Sequence, residues 1–101
     1  MNLADKVEYA IDRVVSELGC NTEAGEEFWY VWSDKHIGKG SNSDGFTYMR
    51  QGVLVKLDDM TVVVRAVADN GLNAGEARLT GFAAVSVELI AGAIETALES
   101  I

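Results

Sequence analysis

Two strand-like runs that flank a tight turn, residues 52–57 and 61–68, constrain the fold of this chain more than any other feature. A short loop at residues 58–60 places Leu57 opposite Val62 in an antiparallel hairpin. In that register one face of the hairpin is wholly apolar, and such a face has to be covered by another layer. The residues on this face are Val53, Val55, Leu57, Val62, Val64, Ala66 and Ala68.

The opposite face of the same hairpin mixes cations with apolar side chains. Its members are Leu54, Lys56, Val63, Arg65 and Val67. A further strand is predicted at residues 46–50, and it adds Tyr48 and Arg50 to this face if it continues straight into the hairpin. Arginine guanidinium groups form paired hydrogen bonds to carboxylates and phosphates, and a tyrosine ring can stack on a planar group. This surface is therefore a candidate binding site for a carboxylate-rich peptide, a phosphate or a nucleotide. The alternative is a solvated face whose cations discourage edge pairing.

Two amphipathic helices are predicted to provide the covering layer. Residues 2–18 repeat apolar side chains at helical spacing, and Gly19 follows the last of them as a stop signal. Residues 73–101 are predicted to form one closing helix, begun by a capping-box variant of Asn73 and Glu76. A wide apolar arc of this helix faces one way and an acidic stripe faces the other. The stripe consists of Glu88, Glu95 and Glu99.

Two glycines, Gly81 and Gly92, fall inside the predicted closing helix. Each costs roughly 1 kcal/mol relative to alanine in a helix interior, which favours a close approach by another backbone. We therefore predict a second contact face, through which the chain forms a homodimer, made of Gly81, Val85, Leu89 and Gly92. The alternative is that the glycines are merely tolerated. A membrane-spanning helix is not expected, because acidic residues interrupt the apolar run.

A third strand is predicted at residues 28–32, which are all aromatic or β-branched. Alternation divides its side chains into two sets, with Phe28, Tyr30 and Trp32 on one face and Trp29 and Val31 on the other. Before this strand, residues 20–27 are predicted to form a polar connector, in which Cys20 is a small buried hydrophobe.

Residues 33–45 are rich in glycine and serine, and we predict a loop there. The spacing of a P-loop is missing from it. Its backbone N–H groups, with His36 and Lys39 nearby, are nonetheless a candidate anion site. The alternative is a loop that simply connects two strands.

Together these segments predict a single α+β domain over residues 1–101. An antiparallel sheet of three or four strands carries the N-terminal and C-terminal helices on one face, in the order α-β-β-β-β-α. The two-layer arrangement follows because one apolar sheet face and two amphipathic helices each need the other as a partner.

Charge and cysteine content narrow the classes of function. The chain has 16 acidic and 8 basic residues and a net charge of −8, which disfavours nucleic-acid binding through a broad basic surface. One cysteine excludes an intramolecular disulfide framework, and no signal-like segment is evident at the N-terminus. We therefore expect a cytoplasmic protein.

Catalytic chemistry is not expected. The single histidine and the single cysteine do not make a zinc cage, and no metal or cofactor is predicted. The nucleophile-elbow, dinucleotide-binding and metalloprotease motifs are missing. Adjacent carboxylates at residues 26–27 and 58–59 fall in predicted connectors, where solvation accounts for them.

Three functions are compatible with these features. The first is a non-enzymatic protein-binding module, such as an inhibitor, an immunity factor or a chaperone-like adaptor. In size, acidity and helix–sheet–helix outline the chain resembles small accessory proteins of phages and secretion systems. The second is a binder of a small anion or nucleotide, with candidate site residues His36, Lys39, Tyr48, Arg50, Lys56 and Arg65. The third is a nucleic-acid mimic whose carboxylates imitate phosphates.

Overall fold

The computed structural model describes residues 2–33, 39–41, 47–49, 52–67 and 73–101. Its elements follow the chain as α1 (Leu3–Leu18), β1 (Asn21–Ala24), β2 (Phe28–Trp32), β3 (Lys39–Ser41), β4 (Thr47–Met49), β5 (Gly52–Asp58), β6 (Thr61–Val67), β7 (Asn73–Leu79), a 3-10 helix (Ala83–Val85) and α2 (Val87–Glu99). Five strands form one antiparallel sheet in the order β1-β2-β5-β6-β7, and β3 and β4 form a separate two-stranded sheet.

The β5–β6 hairpin has the predicted register. Leu57 lies opposite Val62 and Val55 lies opposite Val64, so the apolar side chains of both strands share one face, which we term the inner face. The three valines are at most 1% exposed. The prediction of an apolar inner face is therefore confirmed. Its last predicted member, Ala68, lies outside the described residues.

Both helices cover the inner face. α1 begins at Asn2, whose side-chain oxygen accepts a hydrogen bond from the backbone N–H of Asp5 at 2.8 Å, and it ends at Gly19 with a left-handed φ of 68°. One core cluster joins the two helices to the sheet; it includes Val7, Ala10, Ile11, Val14, Val31, Val53, Val55, Val62, Val64, Ile90, Ile94 and Leu98. The predicted two-layer α+β fold is confirmed, and its sheet has five strands rather than three or four.

The predicted closing helix is wrong over its first part. Asn73–Leu79 forms β7, an edge strand antiparallel to β6, and α2 begins only at Val87. Pairing with β6 satisfies one side of this strand's backbone and sets alternate side chains on the inner face, which outweighs its helical propensity. The N-cap of α2 is Ser86 rather than Asn73, and the Ser86 Oγ accepts a hydrogen bond from the backbone N–H of Leu89 at 3.3 Å.

Two other segments differ from the prediction. The connector predicted at residues 20–27 contains the edge strand β1, which is held by its ladder with β2 and by a hydrogen bond from Thr22 Oγ1 to the Tyr30 carbonyl at 2.9 Å. Cys20 is buried, as expected of a small hydrophobe. The strand predicted at residues 46–50 is the shorter β4, which pairs with β3 instead of joining the hairpin face.

Ile90 and Leu89 provide a matched test of which side of α2 faces the core. Ile90 is fully buried, whereas the adjacent Leu89 is 50% exposed. Ile90→Ala is expected to lower the free energy of unfolding by about 2–5 kcal/mol, because it leaves a cavity in the core. Leu89→Ala is expected to lower it by about 1 kcal/mol or less. Urea denaturation measures both losses, and equal losses would contradict this orientation of α2.

Candidate docking groove and outer sheet face

A groove of about 520 Å³ opens between α2 and the edge of the sheet formed by β6 and β7. Its walls are mostly small and apolar, with Ala66, Gly75 and Ala77 on the sheet and Gly92, Ala93 and Ala97 on the helix. Glu88 is its acidic member on α2, and Glu76 borders it on β7 with its side chain on the outer face. No basic residue of the described part of the chain lines the groove. The groove therefore suits large apolar side chains from outside the described part of the chain.

The groove lies where α2 packs over the outer strands of the sheet. α2 packs against β5, β6 and β7, whereas α1 packs against α2 and β1, so α2 is the helix beside the β7 edge. The small side chains on both walls leave space open there.

Two of the four residues predicted for a homodimer contact, Leu89 and Gly92, line this groove. Val85 is exposed at the end of the 3-10 helix. Gly81 lies in the turn after β7 with φ 58°. Glycine suits this position because the backbone is left-handed there, not because another backbone approaches it closely. Beside it, Phe82 is 87% exposed, and the sequence gives no signal for this exposure.

Of the two glycines in the predicted contact face, Gly92 is the one that the structure places inside a helix. It lies within α2, and a Cβ atom added to it would meet no atom within 4 Å. The described packing of the chain therefore does not require glycine at this position, although glycine costs roughly 1 kcal/mol relative to alanine there. The space in front of Gly92 remains open to atoms of another molecule.

On the outer face, Lys56 and Arg65 lie where the sequence predicts, but Arg65 is already engaged by a carboxylate. Arg65 Nη2 lies 3.1 Å from Glu76 Oε1, and Arg78 Nε lies 3.2 Å from Glu76 Oε2. One carboxylate thus bridges two guanidinium groups. The Nε atom of Arg65 is buried and has no hydrogen-bond partner among the described residues.

The apolar residues of the outer face are more covered than a solvated face would be. Trp32, Val63 and Val67 are buried, although they do not belong to the core cluster under the helices. Phe28 and Tyr30 lie beside each other on this face, with ring centroids 5.5 Å apart in an edge-to-face arrangement. The outer face therefore combines paired charges with apolar side chains and is not an open cationic surface.

None of the other residues predicted for anion binding lies on a described strand of the five-stranded sheet. Lys39 and Tyr48 lie on β3 and β4, the two strands of the separate sheet. His36 and Arg50 lie outside the described residues. Of the predicted set, the structure places only Lys56 and Arg65 together on the five-stranded sheet.

Sequence reasoning missed the roles of Glu76 and Arg78. The prediction of a helix over residues 73–79 assigns Glu76 to a helix cap, whereas the structure places both side chains on the outer face of an edge strand. The available signal is the Asn-Gly dipeptide at residues 70–71, which is typical of hairpin turns and favours a returning strand after it.

No family model, curated protein or solved structure matches this chain. Among the described residues, no cluster of three or more histidine, cysteine, aspartate or glutamate side chains could hold a metal ion. Within the described ranges, no helix has the length and apolar content needed to cross a membrane. The candidate site therefore rests on geometry, namely the groove and the edge strand beside it.

The cluster of Arg65, Glu76 and Arg78 has an electrostatic consequence. The hydrogen bond from Arg65 is the largest of the effects that lower the pKa of Glu76 below its ordinary value of 4.5, and Arg78 lowers this pKa further. Arg65→Met is expected to raise the pKa of Glu76 toward 4.5, and Arg78→Met is expected to shift it in the same direction. The carboxyl-carbon resonance of Glu76, followed by NMR during an acid titration, measures this pKa.

The sign of the pH dependence follows from the lowered pKa. The ion pairs stabilise the folded chain fully at pH values above 4.5, and this stabilisation is lost as the pH falls through the lowered pKa of Glu76. A Glu76 pKa that does not change in the Arg65→Met variant would contradict the described ion pair.

Proposed function

We propose that this chain is a small non-enzymatic protein-binding module whose docking surface is the groove between α2 and the edge strand β7. The observation that carries the proposal is the half-exposed Leu89 beside an unfilled groove of small residues. Contiguous apolar surface that a domain leaves uncovered marks interaction sites. Inhibitors, immunity factors and chaperone-like adaptors act through surfaces of this kind, and so would an accessory protein of a phage or a secretion system.

The strand edge beside the groove supports the same function. β7 ends the sheet, so one side of its backbone has no neighbouring strand within the described residues. Proline and charged side chains, lysine above all, often protect exposed strand edges. β7 contains no proline or lysine, and its two charged residues, Glu76 and Arg78, have opposite signs, so they can pair with a complementary strand. Such an edge accepts an extended segment of another chain, whose main chain supplies affinity and whose alternate side chains supply specificity. A segment added to β7 directs every second side chain toward the groove.

A second candidate function is the binding of a small anion at the outer face. It is favoured by the buried Nε of Arg65, a donor without a partner among the described residues. An unsatisfied buried donor costs about 1–3 kcal/mol, which a bound anion would relieve. The carboxylate of Glu76 weakens this candidate, because it already holds Nη2 of the same guanidinium. If inorganic phosphate leaves the Arg65 Nε–H resonance unmoved in NMR titrations, anion binding at this face is contradicted.

A displayed peptide library tests the docking surface without knowledge of the natural partner. Peptides are selected against the wild-type chain and counter-selected against Gly92→Leu. The space at Gly92 is open, so the leucine side chain fills the groove without displacing neighbouring atoms at its Cβ. The selected peptides are expected to bind the wild type at least about tenfold more tightly than Gly92→Leu, because their anchor side chains lose their pocket. They are also expected to shift the NMR resonances of Ala77, Ala93 and Ala97, which line the groove.

The matched control is Met60→Leu, at an exposed turn residue that does not line the groove. The selected peptides are expected to bind this variant as they bind the wild type. If no peptide depends on Gly92, or if the peptides shift only residues outside the groove, the groove is not a docking surface.

Gly92→Ala separates stability from binding. Alanine is expected to raise the free energy of unfolding by about 0.5–1 kcal/mol, because it favours the helix and its methyl group meets no atom within 4 Å. Urea denaturation of the isolated chain at low concentration measures this change. A loss of stability would mean that the chain's own packing needs glycine here and that the groove is not open at this point.

A further inference from the structure

We propose that the protein segment that occupies this site is β7 of a second copy of the chain, so that two sheets join edge to edge about a two-fold axis. The inference rests on the proposed function, because it names the partner of the same groove and edge. A two-fold contact brings residue i opposite residue j and residue j opposite residue i. The sequence of β7 therefore has to be complementary to its own reverse, and both its charges and its side-chain sizes meet that condition.

The charges of β7 are self-complementary in one register. With Ala77 on the two-fold axis, Glu76 of each copy lies opposite Arg78 of the other. Both side chains project from the outer face, because Glu76 pairs with Arg65 and Arg78 pairs with Val63 within the sheet. Opposite charges that face each other directly stabilise antiparallel strands, and like charges destabilise them.

The neighbouring registers are disfavoured by the same charges. A shift that keeps the inner faces of both strands together moves the axis by one residue, to Glu76 or to Arg78. An axis at Glu76 sets two carboxylates opposite each other, and an axis at Arg78 does the same with two guanidinium groups. The register centred on Ala77 is therefore selected over both neighbours.

Side-chain sizes favour the same register. On the inner face β7 presents Gly75, Ala77 and Leu79, which lie opposite Ala66, Val64 and Val62 of β6. With the axis at Ala77, Leu79 of each copy lies opposite Gly75 of the other. The largest inner-face side chain of the strand thus lies opposite the smallest. Both lie beside a groove that is lined mostly by small residues.

Phe82 gives the second copy a further large apolar group. It is 87% exposed and follows Leu79 by three residues. Because the two strands run antiparallel, Phe82 of one copy comes to the Gly75 end of the other copy's groove. The contact would cover the most exposed large apolar side chain among the described residues, together with Leu89 at the rim of the groove.

The net charge of each chain does not prevent this contact. Each copy carries −8, and charges farther apart than about 8 Å are largely screened at physiological ionic strength. Directly opposite residues have Cβ atoms about 4.5–5.5 Å apart, which is shorter than the screening length. The two cross-strand pairs of Glu76 and Arg78 are therefore only weakly screened. The local pattern on β7 therefore decides whether two copies associate.

A cysteine substitution on the axis tests the register. Ala77 is the one residue of β7 that lies opposite its own counterpart, and directly opposite residues have Cα atoms within disulfide range. In the full chain, Ala77→Cys is expected to form a disulfide-linked dimer rapidly under a mild oxidant. Met60→Cys, at an exposed turn outside the contact, is expected to cross-link at least about tenfold more slowly. The buried native Cys20 is common to both variants.

Two charge reversals test the pairing. Arg78→Glu sets two carboxylates against each other in its homodimer, and Glu76→Arg sets two guanidinium groups against each other. Each variant alone is expected to have a dimer Kd at least about tenfold above that of the wild type in sedimentation equilibrium. An equal mixture is expected to form a heterodimer, because both cross-strand pairs then unite opposite charges. Circular dichroism of each variant shows whether it is folded.

Three results would each overturn the proposal. The first is a wild-type chain that stays monomeric up to about 1 mM. The second is an Ala77→Cys variant that cross-links no faster than Met60→Cys. The third is a failure of the two folded charge variants to associate when they are mixed. Failure of the proposed function looks different. A monomeric chain whose groove still binds selected peptides keeps the docking function and loses only the second copy as its occupant.

Discussion

The apolar inner face of the β5–β6 hairpin is the constraint on which the rest of the structure depends. Its valines are buried, and burying a valine or isoleucine side chain contributes about 1.5–3 kcal/mol. α1 and α2 have apolar stripes that need the same cover, so both helices lie on that face. The proposed functional surface lies where α2 meets β6 and β7 through small side chains. The groove and the half-exposed Leu89 lie there, beside β7, which has only β6 as a neighbouring strand among the described residues.

The hairpin and the first helix could be predicted from the sequence because their signals are local. A short turn fixed by Asp58, Asp59 and Met60 determines which residues of β5 and β6 face each other, and Asn2 and Gly19 mark the ends of α1. β7 could not be predicted in the same way. Its sequence contains good helix formers, and only its pairing with β6 makes it a strand. Local propensity is a weak guide where long-range pairing decides the structure.

The candidate site was predictable in part, for the same reason. Helical spacing places Leu89 and Gly92 on one side of α2, and this needs no knowledge of the sheet. Gly81 carries the same local signal as Gly92 but has a different cause, since it occupies a left-handed turn. The ion pair of Arg65 with Glu76 depends on the β6–β7 register, so the sequence predicts a free arginine where the structure has a paired one.

Hydrogen exchange of β7 at two protein concentrations tests the central proposal, that the edge of β7, which no other described strand covers, pairs with a segment of another protein molecule. In dilute solution, the β7 amides that point away from β6 are expected to exchange quickly, while the amides of β5 and β6 exchange slowly. At high protein concentration, a second copy is expected to slow the exchange of these β7 amides without changing that of β5. Slow β7 exchange that is the same at both concentrations would contradict the account, because it would mean that the chain already covers this edge.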